Sequence, residues 1–214
     1  MTGRPIALLE SLRWEPATGY YLLVRHLERL QASAKALGYT LSLSEVHSRL
    51  AAHAALLTTP RKVRVLVSQD GSLAVEDGPL APSTQVLAQL ALHPIDPEHL
   101  WLRHKTTERS VYEQALLDRP GADDVLLWNT RGEVTETTRG NLCYELQTVL
   151  YTPPLSSGLL PGTFRAELLA RGELHERPML LTDLDLATGL WLLNSVRGRC
   201  PLVLLPKADY NARP

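Results

Sequence analysis

The side chains able to do chemistry are few and scattered. Lys105 stands in Arg103-His-Lys-Thr-Thr, just after an apolar stretch. In a desolvated place near other positive charge, its amine would lose proton affinity and serve as a nucleophile and a base. On a water-facing surface the same residue is only a solvated charge. The other lysines, Lys35, Lys62 and Lys207, read as that surface type. Glu136 and Asn141 fall in Gly132-Glu-Val-Thr-Glu-Thr-Thr-Arg-Gly-Asn, where they either serve a ligand or populate a turn and strand edge. Arg29 carries a guanidinium fork shaped for phosphate or carboxylate, on a helix face beside Leu30 where it would ordinarily meet water. In Leu160-Pro-Gly-Thr-Phe, Thr163 and Phe164 open a helix. Its first-turn N–H groups and dipole suit phosphate, although taken alone the segment is an ordinary helix start.

Periodicity supplies the elements that must position these groups. Residues 6–14 and 19–24 read as two strands joined at Glu15-Pro16-Ala17-Thr18. Leu27, Leu30, Ala34 and Leu37 recur at helical spacing up to Gly38, a C-cap. Ser42 and Glu45 form a capping-box pattern for a second helix reaching about Leu56. Val63, Val65 and Val67 alternate, and Asp70-Gly71 turns the chain back through Leu73 to Val75 as a hairpin. A strand covers 85–92. The first unit, residues 1–95, is expected to be α+β with antiparallel strands. His93-Pro-Ile-Asp-Pro leads to a second, larger unit over 96–214. It reads as a strand at 100–102, a helix at 107–117, strands at 124–129, 134–135, 141–146 and 149–151, a helix at 164–170, and strands at 191–193 and 202–205. A cleft between two such units is an expected ligand site.

The bulk composition is that of an ordinary globular chain: 214 residues, 44% hydrophobic, 21% charged, formal net charge −1. That balance offers no field for nucleic acid or an anionic membrane, and the apolar runs are short of a membrane span. Cys143 and Cys200 have no metal-ligand spacing and read as buried thiols of a reducing compartment, so no metal is expected. With no signal-peptide run after Met1, a cytoplasmic protein is expected.

Five ordered segments carry a resemblance. They are Leu22-Leu-Val-Arg-His-Leu-Glu-Arg-Leu-Gln-Ala-Ser-Ala; His104-Lys-Thr-Thr-Glu-Arg-Ser-Val-Tyr; Gly132-Glu-Val-Thr-Glu-Thr-Thr-Arg-Gly-Asn-Leu; Thr152-Pro-Pro-Leu with Gly158-Leu-Leu-Pro-Gly-Thr-Phe-Arg; and Asn194-Ser-Val-Arg-Gly. In order and spacing they resemble the class IV aminotransferases, the fold type IV pyridoxal-phosphate enzymes. Glu10-Ser-Leu-Arg-Trp, the His-Lys-Thr-Thr block and Asn194-Ser-Val-Arg-Gly are most similar to aminodeoxychorismate lyases, especially the lyase domain fused to aminodeoxychorismate synthase. Family members usually carry a longer segment ahead of the first of these. The resemblance is therefore to a D-amino acid aminotransferase-like, two-domain α+β fold with a shortened N-terminus, as in the fused domains.

The resemblance implies roles. Lys105 would form a Schiff base with pyridoxal 5′-phosphate and then shuttle the proton. Glu136 would face the pyridine nitrogen and keep it protonated, making the ring an electron sink. Arg29, Thr163, Phe164, Asn194 and Ser195 would hold the phosphate. Asn141 would brace Glu136 and touch the cofactor's hydroxyl edge. Glu10, Ser11 and Arg13 would lie near the cleft; Ser11, Arg13 and Arg197 are the candidates for substrate contact. Tyr112 would pack or take part in catalysis. The implied substrate is a small amine and the implied assembly a homodimer, with a synthase as a further partner. The implied reaction converts 4-amino-4-deoxychorismate to 4-aminobenzoate and pyruvate, a step of folate biosynthesis. A branched-chain or D-amino acid aminotransferase using the same Lys105 and Glu136 is the alternative, and a non-catalytic protein that kept the fold is a third.

Overall fold

A computed structural model describes residues 5–206, so Met1 and Lys207 lie outside the described residues. The chain forms two compact units, each assembled from separated stretches. The first comprises the chain up to Pro82, Leu100–Arg109 and Ser195–Gly198; the second takes Ser83–His99, Ser110–Asn194 and the chain from Arg199. This differs from a single cut at residue 95, because short return segments complete the first unit and strand pairing draws residues 83–99 into the second.

The first unit is a four-stranded antiparallel sheet carrying two long helices. Its strands are β1 (Leu8–Glu15), β2 (Gly19–Tyr20), β3 (Arg61–Val67) and β4 (Leu73–Pro79), in the order β2-β1-β3-β4. The helices are α1 (Leu23–Leu37) and α2 (Leu43–Ala54), with a single helical turn, α3 (Leu100–Arg103), in the return segment. Alternation decides the faces. Val63, Val65 and Val67 point to one core with Leu8, Leu12 and Trp14, and meet Leu27, Leu30 and Ala34 of α1 and Val46 and Leu50 of α2. Gly38 ends α1 at φ 71°, its N–H donating to Ala34 O. Ser42 Oγ accepts the Glu45 N–H at 3.3 Å and starts α2.

Two local expectations are corrected. The second strand stops at Tyr20, because Leu22 takes a left-handed conformation (φ 54°) and α1 begins at Leu23. Residues 100–102 are helical, not extended. Both runs are apolar and short, and periodicity does not discriminate helix from strand over so few residues.

The second unit is one nine-stranded sheet with two helices. Its strands are β5 (Val86–Leu90), β6 (Asp124–Trp128), β7 (Glu133–Thr137), β8 (Gly140–Leu146), β9 (Val149–Thr152), β10 (His175–Glu176), β11 (Met179–Leu180), β12 (Gly189–Asn194) and β13 (Gly198–Leu204). Its helices are α4 (Ser110–Leu117) and α5 (Thr163–Ala170). The order is β10-β9-β8-β12-β13-β5-β6-β7-β11, and β7 also pairs with β8, closing six strands into a ring around Leu126, Leu142, Tyr144, Leu192 and Cys200. β5 runs parallel to both β13 and β6. It therefore belongs to this sheet rather than to the antiparallel sheet expected for residues 1–95.

Cys143 and Cys200 are buried free thiols, and burial pushes the Cys143 thiol up to about 12. Among the described residues no helix is long and apolar enough to cross a membrane, and no His/Cys/Asp/Glu group could hold a metal ion.

Candidate active site

In the first unit, Lys105 is presented by strand-like pairing along the edge of β1. The Leu9 N–H donates to Lys105 O at 2.9 Å, the Thr107 N–H donates to Ala7 O at 2.9 Å, and Thr106 bridges Leu8. Partners across an antiparallel pair share a face. Thr106 therefore lies with Leu8 on the helix side, where it is buried, and His104 bonds Ser33 of α1 at 3.0 Å. Lys105 falls on the opposite face, with Leu9, Ser11 and Arg13 of β1. Ser195 reaches the same strand, its Oγ donating to Ser11 O at 3.4 Å.

Glu10 has the other parity. It is buried on the helix face between Leu8 and Leu12, and α1 supplies what a buried carboxylate needs. Arg29 forks onto it, Nε to Oε1 at 2.8 Å and Nη2 to Oε2 at 2.6 Å, and His26 Nδ1 meets Oε2 at 2.6 Å. Burial alone would raise the Glu10 carboxyl, but the Arg29 charge and hydrogen bonds, with those of His26, hold it at about 2. His26 is lowered by burial, helped by the Arg29 and Lys105 charges and opposed by Glu10. It is thus a neutral donor at neutral pH.

The second unit holds Glu136 in a fixed orientation. Its Oε1 accepts from Tyr112 Oη at 2.8 Å and from the Leu160 N–H at 3.1 Å; its Oε2 accepts from Asn141 Nδ2 at 3.0 Å. Glu136 and Asn141 are cross-strand partners in the β7–β8 hairpin. Asn141 Nδ2 also donates to Leu160 O at 2.8 Å, tying hairpin to loop. A Cβ on Gly162 would overlap Asn141 Oδ1, so only glycine allows this approach. Gly162 is also the N-cap of α5, with no side-chain cap bond, so Thr163 and Phe164 form the first turn as expected. Asn194 Nδ2 donates to Arg139 O at 3.2 Å, at the tip of the same hairpin.

The predicted residues thus fall into two sets. Lys105, Ser11, Arg13, Arg29, Ser195 and Arg197 belong to the first unit, and Glu136, Asn141, Thr163, Phe164 and Asn194 to the second. Arg29 is engaged by Glu10. Sequence reasoning left His26 and Arg165 without roles. Arg165 is buried and rivets α5 through Pro153 O (2.8 Å) and Glu176 Oε1 (2.5 Å). The signal for His26 was its place three residues before Arg29, on the same helix face. Lys62, read as a surface lysine, is half-buried.

Each unit by itself presents groups of the kinds pyridoxal phosphate uses: the first an amine on Lys105 and an arginine fork on Arg29, the second a carboxylate immobilised by three donors and a helix start without a side-chain cap. That donor set fits an aldehyde, a ring nitrogen and a phosphate. Comparison with known proteins gives the family. The family described as amino-transferase class IV matches residues 7–204, and the chain belongs to it. It is therefore a fold type IV pyridoxal-phosphate enzyme. A Schizosaccharomyces pombe protein named "Putative aminodeoxychorismate lyase" is 34% identical over 86% of this chain and 84% of its own length. A Mesorhizobium loti crystal structure named "Putative amino-acid aminotransferase" is also 34% identical, with TM-score 0.88, covering 94% of this chain and 100% of that one. A Legionella pneumophila structure named "Putative 4-amino-4-deoxychorismate lyase", 23% identical with TM-score 0.80 over 94% of this chain and 83% of that one, shares the fold.

Proposed function

We propose that the protein is an aminodeoxychorismate lyase, converting 4-amino-4-deoxychorismate to 4-aminobenzoate and pyruvate. The observation that carries this reading is the Schizosaccharomyces pombe relative, similar over 86% of the chain. The geometry around Lys105 agrees with it. When bound, pyridoxal phosphate supplies an aldehyde that condenses with amines and a ring that accepts an electron pair. Lys105 would hold that aldehyde and would move the proton of the ring carbon that bears the substrate amine. Its pairing to β1 keeps the amine on the Ser11 and Arg13 face. Glu136 would face the pyridine nitrogen, with Tyr112, Asn141 and the Leu160 N–H fixing its direction. Arg29, oriented by Glu10, and the first-turn N–H groups of α5 are each suited to phosphate and would be its donors.

An amino-acid aminotransferase is the second reading, favoured by the Mesorhizobium loti structure. One experiment separates the two. The purified protein with pyridoxal phosphate should show an absorbance band near the visible edge that Lys105→Ala lacks. It should then form 4-aminobenzoate and pyruvate from 4-amino-4-deoxychorismate with no amino acceptor present. Amine transfer to an added 2-oxo acid, without 4-aminobenzoate, would replace the lyase by the transaminase.

A further inference from the structure

Positive charge is in excess on the sheet face that carries Lys105. The register of β1 with β3 sets Arg13 directly across from Lys62 and Ser11 across from Arg64. Arg64 is answered by Glu76 of β4 at 2.7 Å. Arg13 meets Glu15 at 3.3 Å and lies over the Tyr21 ring. Lys62 makes no ion pair among the described residues, although it is half-buried. Burial and the charges of Arg64, Arg197 and Arg109 all press against its ammonium, with Glu76 the favourable exception. Like charges directly across a strand pair destabilise a sheet, and partial burial of an ammonium adds a desolvation cost. The arrangement becomes favourable when an anion arrives among these groups.

The spacing says which anion. Leu9 with Lys105 and Arg13 with Lys62 are two cross-strand positions four residues apart along β1 and on its two opposite edges, so the lysine backbones lie about 16 Å apart. Each lysine brings a four-carbon stem, so the two amines can approach opposite sides of a six-membered ring. A monocarboxylic α-amino acid carries its one carboxylate beside the reacting amine and has no use for a cation so far away. A ring with its amine at one end and carboxylates beyond it does.

We propose that Lys62, flanked by Arg13 and Arg197, binds a substrate carboxylate remote from the amine that reacts at Lys105. This makes Lys62 a determinant of selectivity for ring dicarboxylates, and it rests on the lyase reading for the identity of that substrate. Chorismate is the probe, because it carries the two carboxylates but a hydroxyl in place of the amine and so reports anion binding without Lys105 chemistry. Calorimetric titration of the pyridoxal-phosphate-loaded enzyme should show chorismate binding weakened about tenfold or more in Lys62→Met, as expected for losing one partner of a desolvated charge pair. Lys62→Arg should retain most of the affinity, and Lys35→Met, on the exposed side of α1, should match wild type. The Lys105 absorbance band should be unchanged in all three, which separates a lost contact from a lost fold. With 4-amino-4-deoxychorismate, Lys62→Met should raise KM more than it lowers kcat.

Equal chorismate affinity in wild type and Lys62→Met would overturn the proposal, as would no chorismate binding to wild type. The lyase reading fails separately. Lys62-dependent chorismate binding without 4-aminobenzoate formation would sustain the subsite and remove the reaction. Turnover with an unchanged KM in Lys62→Met would sustain the reaction and remove the subsite.

Discussion

Glu10 is a carboxylate that strand parity places on the buried face, among Leu8, Leu12 and Trp14. The sequence put Glu10 near the cleft beside Ser11 and Arg13; its burial on the other face, and its partners sixteen and nineteen residues later on α1, were not foreseen. Spacing within one element predicts a face, whereas pairing across elements depends on how they pack. The pH consequence has a definite sign. Glu10 and His26 both have lowered proton affinity in the folded protein, so each contributes stability that is lost as pH falls. The His26 share begins to go below 6.5, its unfolded value. The Glu10 share goes between 4.5 and about 2 and is about 3 kcal/mol. Glu10→Gln leaves Arg29 without its buried counter-charge, and is expected to cost about 3–5 kcal/mol at neutral pH. Urea unfolding should show the gap between wild type and variant narrowing from pH 4.5 downwards. A gap constant across that range would mean that Glu10 is not the titrating group.

At the scale of elements, the β7–β8 hairpin and the loop into α5 meet at Asn141. Strand alternation and the Leu160-Pro-Gly-Thr helix start made both elements legible, and with them the residues they carry. The contact between them was hidden, because it is set by the absence of a side chain at Gly162. Tyr112 was left open between packing and chemistry; its hydroxyl reaches Glu136 because α4 packs against β6, the neighbour of β7, which no local pattern encodes. Gly162→Ala should push Asn141 out of its bond to Glu136, at an overpacking cost of about 1–3 kcal/mol. Combining it with Asn141→Ser, which removes the overlapping oxygen, should recover part of that loss. Thermal melts of the single and double variants measure the recovery, and a strictly additive pair would deny the contact.

Across the whole molecule, composition and period foresaw the α+β class and most strands, but not the assignment of stretches to units. The ten residues Leu100–Arg109 and the four residues Ser195–Gly198 return to the first unit. Segments that brief carry no core of their own for a pattern to reveal. The closing pairings are equally non-local: β5 with β13 joins residues 86–88 to 202–204 in parallel register. Lys105 owes its place to such a return, since its strand-like pairing with β1 spans about half the chain. Ligand binding should therefore register in global stability. A cofactor bound only by the folded protein raises its stability by about 2.7 kcal/mol at a hundredfold excess over Kd. Pyridoxal phosphate added to cofactor-free protein should accordingly raise the thermal midpoint by several degrees. Lys105→Ala should shrink that increment while leaving the cofactor-free midpoint near wild type, because its own backbone pairing with Leu9 does not need the side chain. Glu136→Gln should keep most of the increment, since it alters the charge facing the ring more than the contacts that hold it. An increment in Lys105→Ala equal to that of wild type would mean that the cofactor is held without the covalent bond, and would move the weight of binding onto Arg29 and the first turn of α5.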